Sequence, residues 1–538
     1  MSTGAVESTP TQAPPAAPPQ LSMHPYIGIL GVFLGAGVAT MNSRLVSIGL
    51  PDLRGANGFG FDEASWIPTV LDMALMFSGV FCVFLNARFG PRRILLPCAA
   101  VFTIISLALP FSPNLPLMLL LQVIAGLSSG TFYSLTLTFA LTALPKRLVI
   151  WGIAAYAADI VFSSNIAEAL QGWYAEHLSW HWIFWNAAVF TPLMFICVYL
   201  GIPRRGLPPK RGPSWLGFAY FSLGLALLVG AFDQGERLYW LNSGVIVAMV
   251  VAGVFLLVVT CISRGRQPNP LANLSFLNTR NIIILATSIL VFRFVLLVVY
   301  VLIPGFLGNI EGYRAVQTGQ TLAWVALPQF AVVWLVALTI IRTNSRLVMA
   351  LGFAVIAAAS WIFSHVDSSW AGTSFQLVEL AVTAGLACAY VGMVGSIVLQ
   401  ALEAGALKSA ANIATFSGLM HFSRIFGGTA GVAILTHFIS AREKFHSNMI
   451  GLHVQTGNWL TRGRLQMFAW GLLPKSTGLH ESRARGVALL GEQVRAQAYT
   501  LAIADGFVLI SWVVLGFLLV MLLLKPGKIT YNDLREMQ

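Results

Sequence analysis

Stretches of about twenty residues with scarcely a charge recur along almost the whole chain, and each is long enough to cross the hydrocarbon core of a bilayer as a helix. Fourteen such runs fall near 25–49, 64–86, 93–111, 115–142, 148–171, 181–202, 214–233, 241–262, 281–307, 316–340, 346–365, 373–400, 409–440 and 499–524. The alternation of a membrane β-barrel is absent, and only helices otherwise satisfy their own backbone groups in lipid. The chain is 57% hydrophobic and 10% charged, with mean hydropathy +0.78. A soluble domain carries about 25% charged residues. The fold class expected is therefore an all-α membrane protein.

The basic residues then orient the spans. With the N-terminus in the cytoplasm, the loops on that side and the C-terminal tail hold Arg88, Arg92, Arg93, Lys146, Arg147, Arg204, Arg205, Lys210, Arg211, Arg264, Arg266, Arg280, Arg342, Arg346, Lys408, Lys525, Lys528 and Arg535. The short loops of the other side hold Arg54, Arg237 and Arg314. The long loop 441–498 holds eight more, but long loops weigh little in this rule. Both termini are thus expected in the cytoplasm. The net charge of +12 is accounted for as a topology signal, with no nucleic-acid partner needed.

Residues 1–24 contain no Lys or Arg and no apolar core, so they read as a disordered tail and not as a signal peptide. Cys82, Cys98, Cys197, Cys261 and Cys388 lie in apolar runs without a CxxC spacing, and read as packing residues. No Walker motif, nucleophile–base set or metal cluster appears, so no enzyme, cofactor or metal is expected. His177 and His181 flank Trp173, Trp180, Trp182 and Trp185, an interfacial aromatic belt.

Eight blocks occur in an order and spacing that resemble one family. They are SIGLPDL (Ser47 to Leu53), Trp66 at the start of the second span, LNARFGPRR (Leu85 to Arg93) and QGWYAEHLSWHWIFWNAA (Gln171 to Ala188). FDQGERLYWLNS (Phe232 to Ser243), NPLANLSFLNTRN (Asn269 to Asn281), GYRAVQTG (Gly312 to Gly319) and HFSRIFGGTAGVAILT (His421 to Thr436) complete the series. Together they resemble the major facilitator superfamily, and within it the 14-span drug/proton antiporter branch, the EmrB/QacA-like transporters. The resemblance implies two six-helix bundles joined by two extra spans, with a substrate cavity between the bundles. The division expected is a tail at 1–24, a bundle at 25–202, linking spans with their loops at 203–280, spans nine to thirteen at 281–440, a periplasmic loop at 441–498, a last span at 499–525 and a tail at 526–538. Loop 441–498 carries the apolar stretch Leu465 to Leu473 and is expected to contain amphipathic helix. Such a helix would cap the outer face, meet a partner or form a plain surface hairpin.

The same resemblance implies proton-driven export of amphipathic toxic compounds from the inner membrane, in some members with a periplasmic adaptor and an outer-membrane channel. It makes Arg88, Gly90, Arg92 and Arg93 a cytoplasmic latch loop. Several family positions differ here. The latch aspartate is Ala87, the fourth-span arginine is Gln122, the antiporter motif reads AEALQG (Ala167 to Gly172), and the first-span aspartate is Asn42.

In their place the spans carry other charges, each expensive at mid-bilayer, about 2.5–3.5 kcal/mol on insertion scales. Arg44, Asp72 and Glu168 lie at similar depth near the outer ends of spans one, two and five, so Arg44 is expected to pair with Glu168, Asp72 or both. Asp159 lies deeper, nine residues before Glu168, and is read as sharing a similar face. Arg293, Glu379, His421 and Arg424 belong to the second bundle, with His421 one turn before Arg424. The functional reading of these groups is proton carriage by an acid and anion attraction by the arginines. The structural reading is static ion pairs, with Arg424 held by a carbonyl or by Glu379. At the level of the molecule, a proton-coupled exporter stands beside a facilitator or importer of an organic anion, and behind both a membrane scaffold that transports nothing.

Overall fold

The computed structural model describes residues 25–143, 145, 148–203, 215–264, 280–403, 410–455 and 457–525. The expected tails at 1–24 and 526–538, with latch-side residues Lys146 and Arg147, lie outside the described residues. Fourteen of the helices are long and apolar enough to cross a membrane, and no strand occurs among the described residues.

The first bundle consists of α1 (Pro25–Ile48), α4 (Trp66–Phe89), α5 (Pro91–Ala108), α6 (Leu115–Ala143), α7 (Val149–His177) and α8 (Trp182–Gly201). Two short helices, α2 (Leu50–Asn57) and α3 (Phe61–Ala64), connect α1 to α4. The linking spans are α9 (Trp215–Gly235) and α10 (Gly244–Arg264). The second bundle comprises α11 (Arg280–Val295) with α12 (Ile303–Asn309), α13 (Ala315–Arg342), α14 (Ser345–Phe363), α15 (Gly372–Glu403), α16 (Ala410–Gly451) and α18 (Leu479–Met521). A short helix, α17 (Trp459–Leu472), lies between the last two.

The turn between α4 and α5 shows how local chemistry sets the path. Gly90 has φ +80°, a conformation that favours glycine, and Pro91 opens the next helix where its missing N–H costs nothing. Arg92 then donates to the Ile202 carbonyl at 2.8 Å and lies over the Tyr199 ring, which ties this turn to the end of α8.

Lipid gives helices little hydrophobic reason to associate, so close packing decides where they meet. The bundles meet along two seams, α7 with α13 and α4 with α16. On the first seam, a Cβ at Gly172 would collide with the Val316 backbone, and one at Gly319 with the Ala169 backbone. On the second, the His421 ring fills the space that a side chain at Gly79 would need. The linking helix α9 packs on both α4 and α16, with Phe232 edge-on to Phe426 at 5.3 Å.

Much of the expected loop 441–498 is helical. Helix α16 runs on to Gly451, and α18 begins at Leu479 instead of 499. At 43 residues α18 is about 65 Å long, roughly twice the hydrocarbon core. Helices α16 and α18 pack together as an arm, and both are longer than one membrane crossing needs. At its base Arg442 Nε donates to Asp505 Oδ2 at 2.6 Å and His446 Nε2 shares the same oxygen at 2.7 Å. Helix α17 folds back on α18, where the Ser482 hydroxyl donates to the Ala469 carbonyl; the amphipathic pattern expected of it is not seen, since only Thr461 and Ala469 are buried while Trp459, Met467 and Trp470 are exposed.

Candidate functional site

The intramembrane charges gather at the interface between the bundles. Arg44 Nη2 lies 3.9 Å from Glu168 Oε2, and its guanidinium sits 4.6 Å from the centroid of Tyr300. Asp72 is not bonded to Arg44: its Oδ1 accepts from Ser43 Oγ at 2.9 Å, on the residue before Arg44. Tyr300 belongs to a five-residue π-helical segment, Val298–Leu302, between α11 and α12. Pro304 follows closely, and a proline ring collides with the carbonyl four residues earlier, here Tyr300. The wider π turn relieves that collision and turns Tyr300 toward Arg44 of the other bundle.

Arg424 crosses the interface from α16. Its Nη1 donates to Thr40 Oγ1 of α1 at 3.4 Å, and its guanidinium stacks 3.2 Å from the ring centroid of Tyr133 on α6. Thr40 lies on α1 between Gly37, which abuts Asp159, and Ser43, which bonds Asp72. The expected pairing with a carbonyl or Glu379 is therefore corrected: Tyr133 and Thr40 hold Arg424. Glu379 is fully buried in α15 with both carboxyl oxygens unpartnered.

Asp159 accepts from Ser163 Oγ at 3.4 Å, and its other oxygen has no partner. Gly37 of α1 makes room for it, since a Cβ there would lie 2.5 Å from Asp159 Oδ1. The shared face expected for Asp159 and Glu168 is a misreading of helix geometry. Nine residues are about two and a half turns, which sets them on opposite sides of α7. Helix α1 still meets both, Asp159 at Gly37 and Glu168 through the long side chain of Arg44.

His421 is a cross-bundle bridge. Its Nε2 donates to the Leu75 carbonyl at 3.3 Å and its Nδ1 is hydrogen-bonded to Ser134 Oγ at 3.1 Å. Arg293 has its Nε enclosed without a partner, and its guanidinium lies against Gly428 of α16.

Two features were missed in the sequence. Asp233, inside the quoted FDQG block, accepts from Thr69 Oγ1 and joins α9 to α4. Tyrosines 133, 156 and 390 form a chain of rings across the bundles, with centroids 5.5 Å and 6.2 Å apart. A tyrosine within an apolar run gives no charge signal, whereas the DQG turn was available as one.

Two bundles of membrane-crossing helices, meeting at a buried layer of acids and arginines, define a secondary-transporter architecture. A profile of the Major Facilitator Superfamily matches residues 32–432, and the chain belongs to that family of transporters, which is not a family of enzymes. It is 24% identical over 502 residues to the multidrug export protein EmrB of Haemophilus influenzae, spanning 92% of this chain and 95% of that protein. It is 22% identical to the probable multidrug resistance protein EmrY of Escherichia coli, over 78% of this chain and 81% of that one. Among solved structures it resembles the proton:xylose symporter XylE, with TM-score 0.57 at 12% identity, covering 96% of this chain and 99% of that chain.

Proposed function

We propose that this chain is an inner-membrane secondary active transporter that exports small amphipathic or toxic compounds in exchange for protons. The observation that carries the reading is a shared polar stretch of α1: Asp159 abuts Gly37, Arg424 of the second bundle bonds Thr40, and Asp72 bonds Ser43. An ionised carboxylate attracts Arg424 across the interface, and a protonated one does not. Proton binding there would therefore bias one arrangement of the bundles over another, as coupling requires. Relatives named for multidrug export support the direction and the substrate class.

The arginine distribution supports cytoplasmic termini. The arm of α16, α17 and α18 would then stand in the periplasm, where it suits an adaptor protein that leads to an outer-membrane channel. Arg88, Gly90, Arg92 and Arg93 would latch the cytoplasmic side, with Arg92 already bonded to Ile202.

The test is flux through purified protein in liposomes under an imposed pH gradient, with lipophilic cations and organic acids as cargo. Accumulation that disappears with an ionophore is expected. Flux that only equilibrates would replace exchange with facilitated diffusion.

A further inference from the structure

The turn between the linking spans α9 and α10 bonds to both bundles, but unequally. Towards the first bundle it makes three polar links. Asp233 accepts from Thr69 Oγ1, and Gln234 Nε2 donates to the Ser65 carbonyl at 3.0 Å. Arg237 Nη1 lies 2.7 Å from Asp62 Oδ1, and its Nε donates to Gln234 Oε1 at 2.6 Å. Towards the second bundle the turn makes one polar link among the described residues. His437 Nδ1 of α16 donates to Glu236 Oε2 at 2.7 Å.

The backbone of the turn is strained where it serves that one link. Tyr239 has φ +58° and Trp240 φ +51°, a region that residues with a side chain rarely adopt. Such a conformation persists only where its surroundings over-determine it. Here the Trp240 ring covers Gly235, where a Cβ would lie 2.7 Å from it, and stands edge-on to Phe232 at 5.9 Å. Its Nε1 donates to Glu236 Oε2 at 3.0 Å, the same oxygen that His437 bonds. The strained turn thus fixes the Glu236 carboxylate against α16.

Three links and one behave differently when the bundles rock. The three hold the linking pair to α4 and to α3 before it. Beside His437, the contact with α16 is apolar, Phe232 on Phe426, and packed apolar side chains slide in small shear motions without a bond to break. The His437 side chain is 62% exposed, so water replaces its bond readily on separation.

We propose that α9 and α10 move with the first bundle, and that Glu236–His437 is the releasable latch that holds them to the second at the end carrying the arm. Both are positioning residues, which set how readily that end opens. Any transporter of this fold rocks its bundles, so the assignment does not depend on export or on proton exchange.

Hydrogen exchange read by mass spectrometry on the purified protein in nanodiscs tests it, at both ends of the α7–α13 seam. The arm end is the His177 end of α7 with the Ala315 end of α13; the other end is Val149 with Arg342. His437→Ala should raise exchange at the arm end about two- to fivefold, the scale of a half-exposed ion pair, with no rise at the other end. Adding Glu236→Ala to it should add nothing at the seam, since both changes cut one bond. Asp62→Ala cuts a link inside the moving body and should leave both ends unchanged. The Asp62 and His437 side chains are exposed, so neither single change threatens the fold. Unchanged arm-end exchange in His437→Ala overturns the proposal. So does faster exchange at both ends, which marks general loosening, or an Asp62→Ala effect equal to that of His437→Ala.

Discussion

At the residue scale, burial and reach decide what each charge can do. Arg44 and Glu168 are mostly enclosed and 3.9 Å apart, so each neutralises a charge that the other would leave stranded. Arg44→Gln or Glu168→Gln alone should lower the melting temperature more than the double variant does, as read by thermal unfolding in detergent. Equal or additive losses would mean that the pair is not coupled. Depth in neighbouring spans was enough to bring Arg44 and Glu168 together from the sequence. The partners of Arg424 were not legible, because Thr40 and Tyr133 are neutral residues inside apolar runs. Asp233 was legible in principle, yet it stands in a block that reads as a turn and in fact closes α9 against Thr69.

At the element scale, the α7–α13 seam depends on small residues where two backbones touch. Alternating access requires that seam to open. Gly319→Ala should already strain this seam, because its Cβ would lie 2.4 Å from the Ala169 backbone, and should lower flux per inserted protein. Undiminished flux in Gly319→Ala would show that the contact is not needed in the cycle. A bulkier change, Gly319→Leu, should cost activity without loss of membrane insertion, measured as flux per inserted protein. The spans themselves were readable because lipid demands about twenty apolar residues and tolerates few charges. The ends of α16 and α18 were not. Residues 441–451 carry charges but no proline, and glycine comes only at Gly451, so nothing in the chain halts the helix where the apolar run ends.

At the scale of the whole molecule, α16 and α18 are about 63 and 65 Å long, each about twice a membrane crossing, and on the proposed topology their excess forms an arm in the periplasm. Its surface exposes Trp459, Met467 and Trp470 on α17, among basic residues such as Arg462 and Arg464. Replacing residues 457–476 with a short Gly/Ser linker should spare flux in liposomes and abolish resistance in cells that need the adaptor route. Equal loss in both assays would make the arm part of the pump itself. Orientation is checked on intact cells: a cysteine at Gly457 should react with an impermeant maleimide, and one at Gly90 should not. The division into two bundles and a linking pair was legible from family blocks in sequence, and a helix within 441–498 from its apolar stretch, whereas the extension of α16 and α18 into that segment emerged only from the fold.

The most direct test of proton exchange is the lumenal pH of liposomes loaded with a pH-sensitive dye, followed as substrate is added to the intact protein and to Asp159→Asn. The account predicts a substrate-driven pH change with the intact protein, and its loss in Asp159→Asn with substrate binding retained. An undiminished pH change in Asp159→Asn, and likewise in Asp72→Asn, would contradict the claim that these acids carry the proton against Arg424.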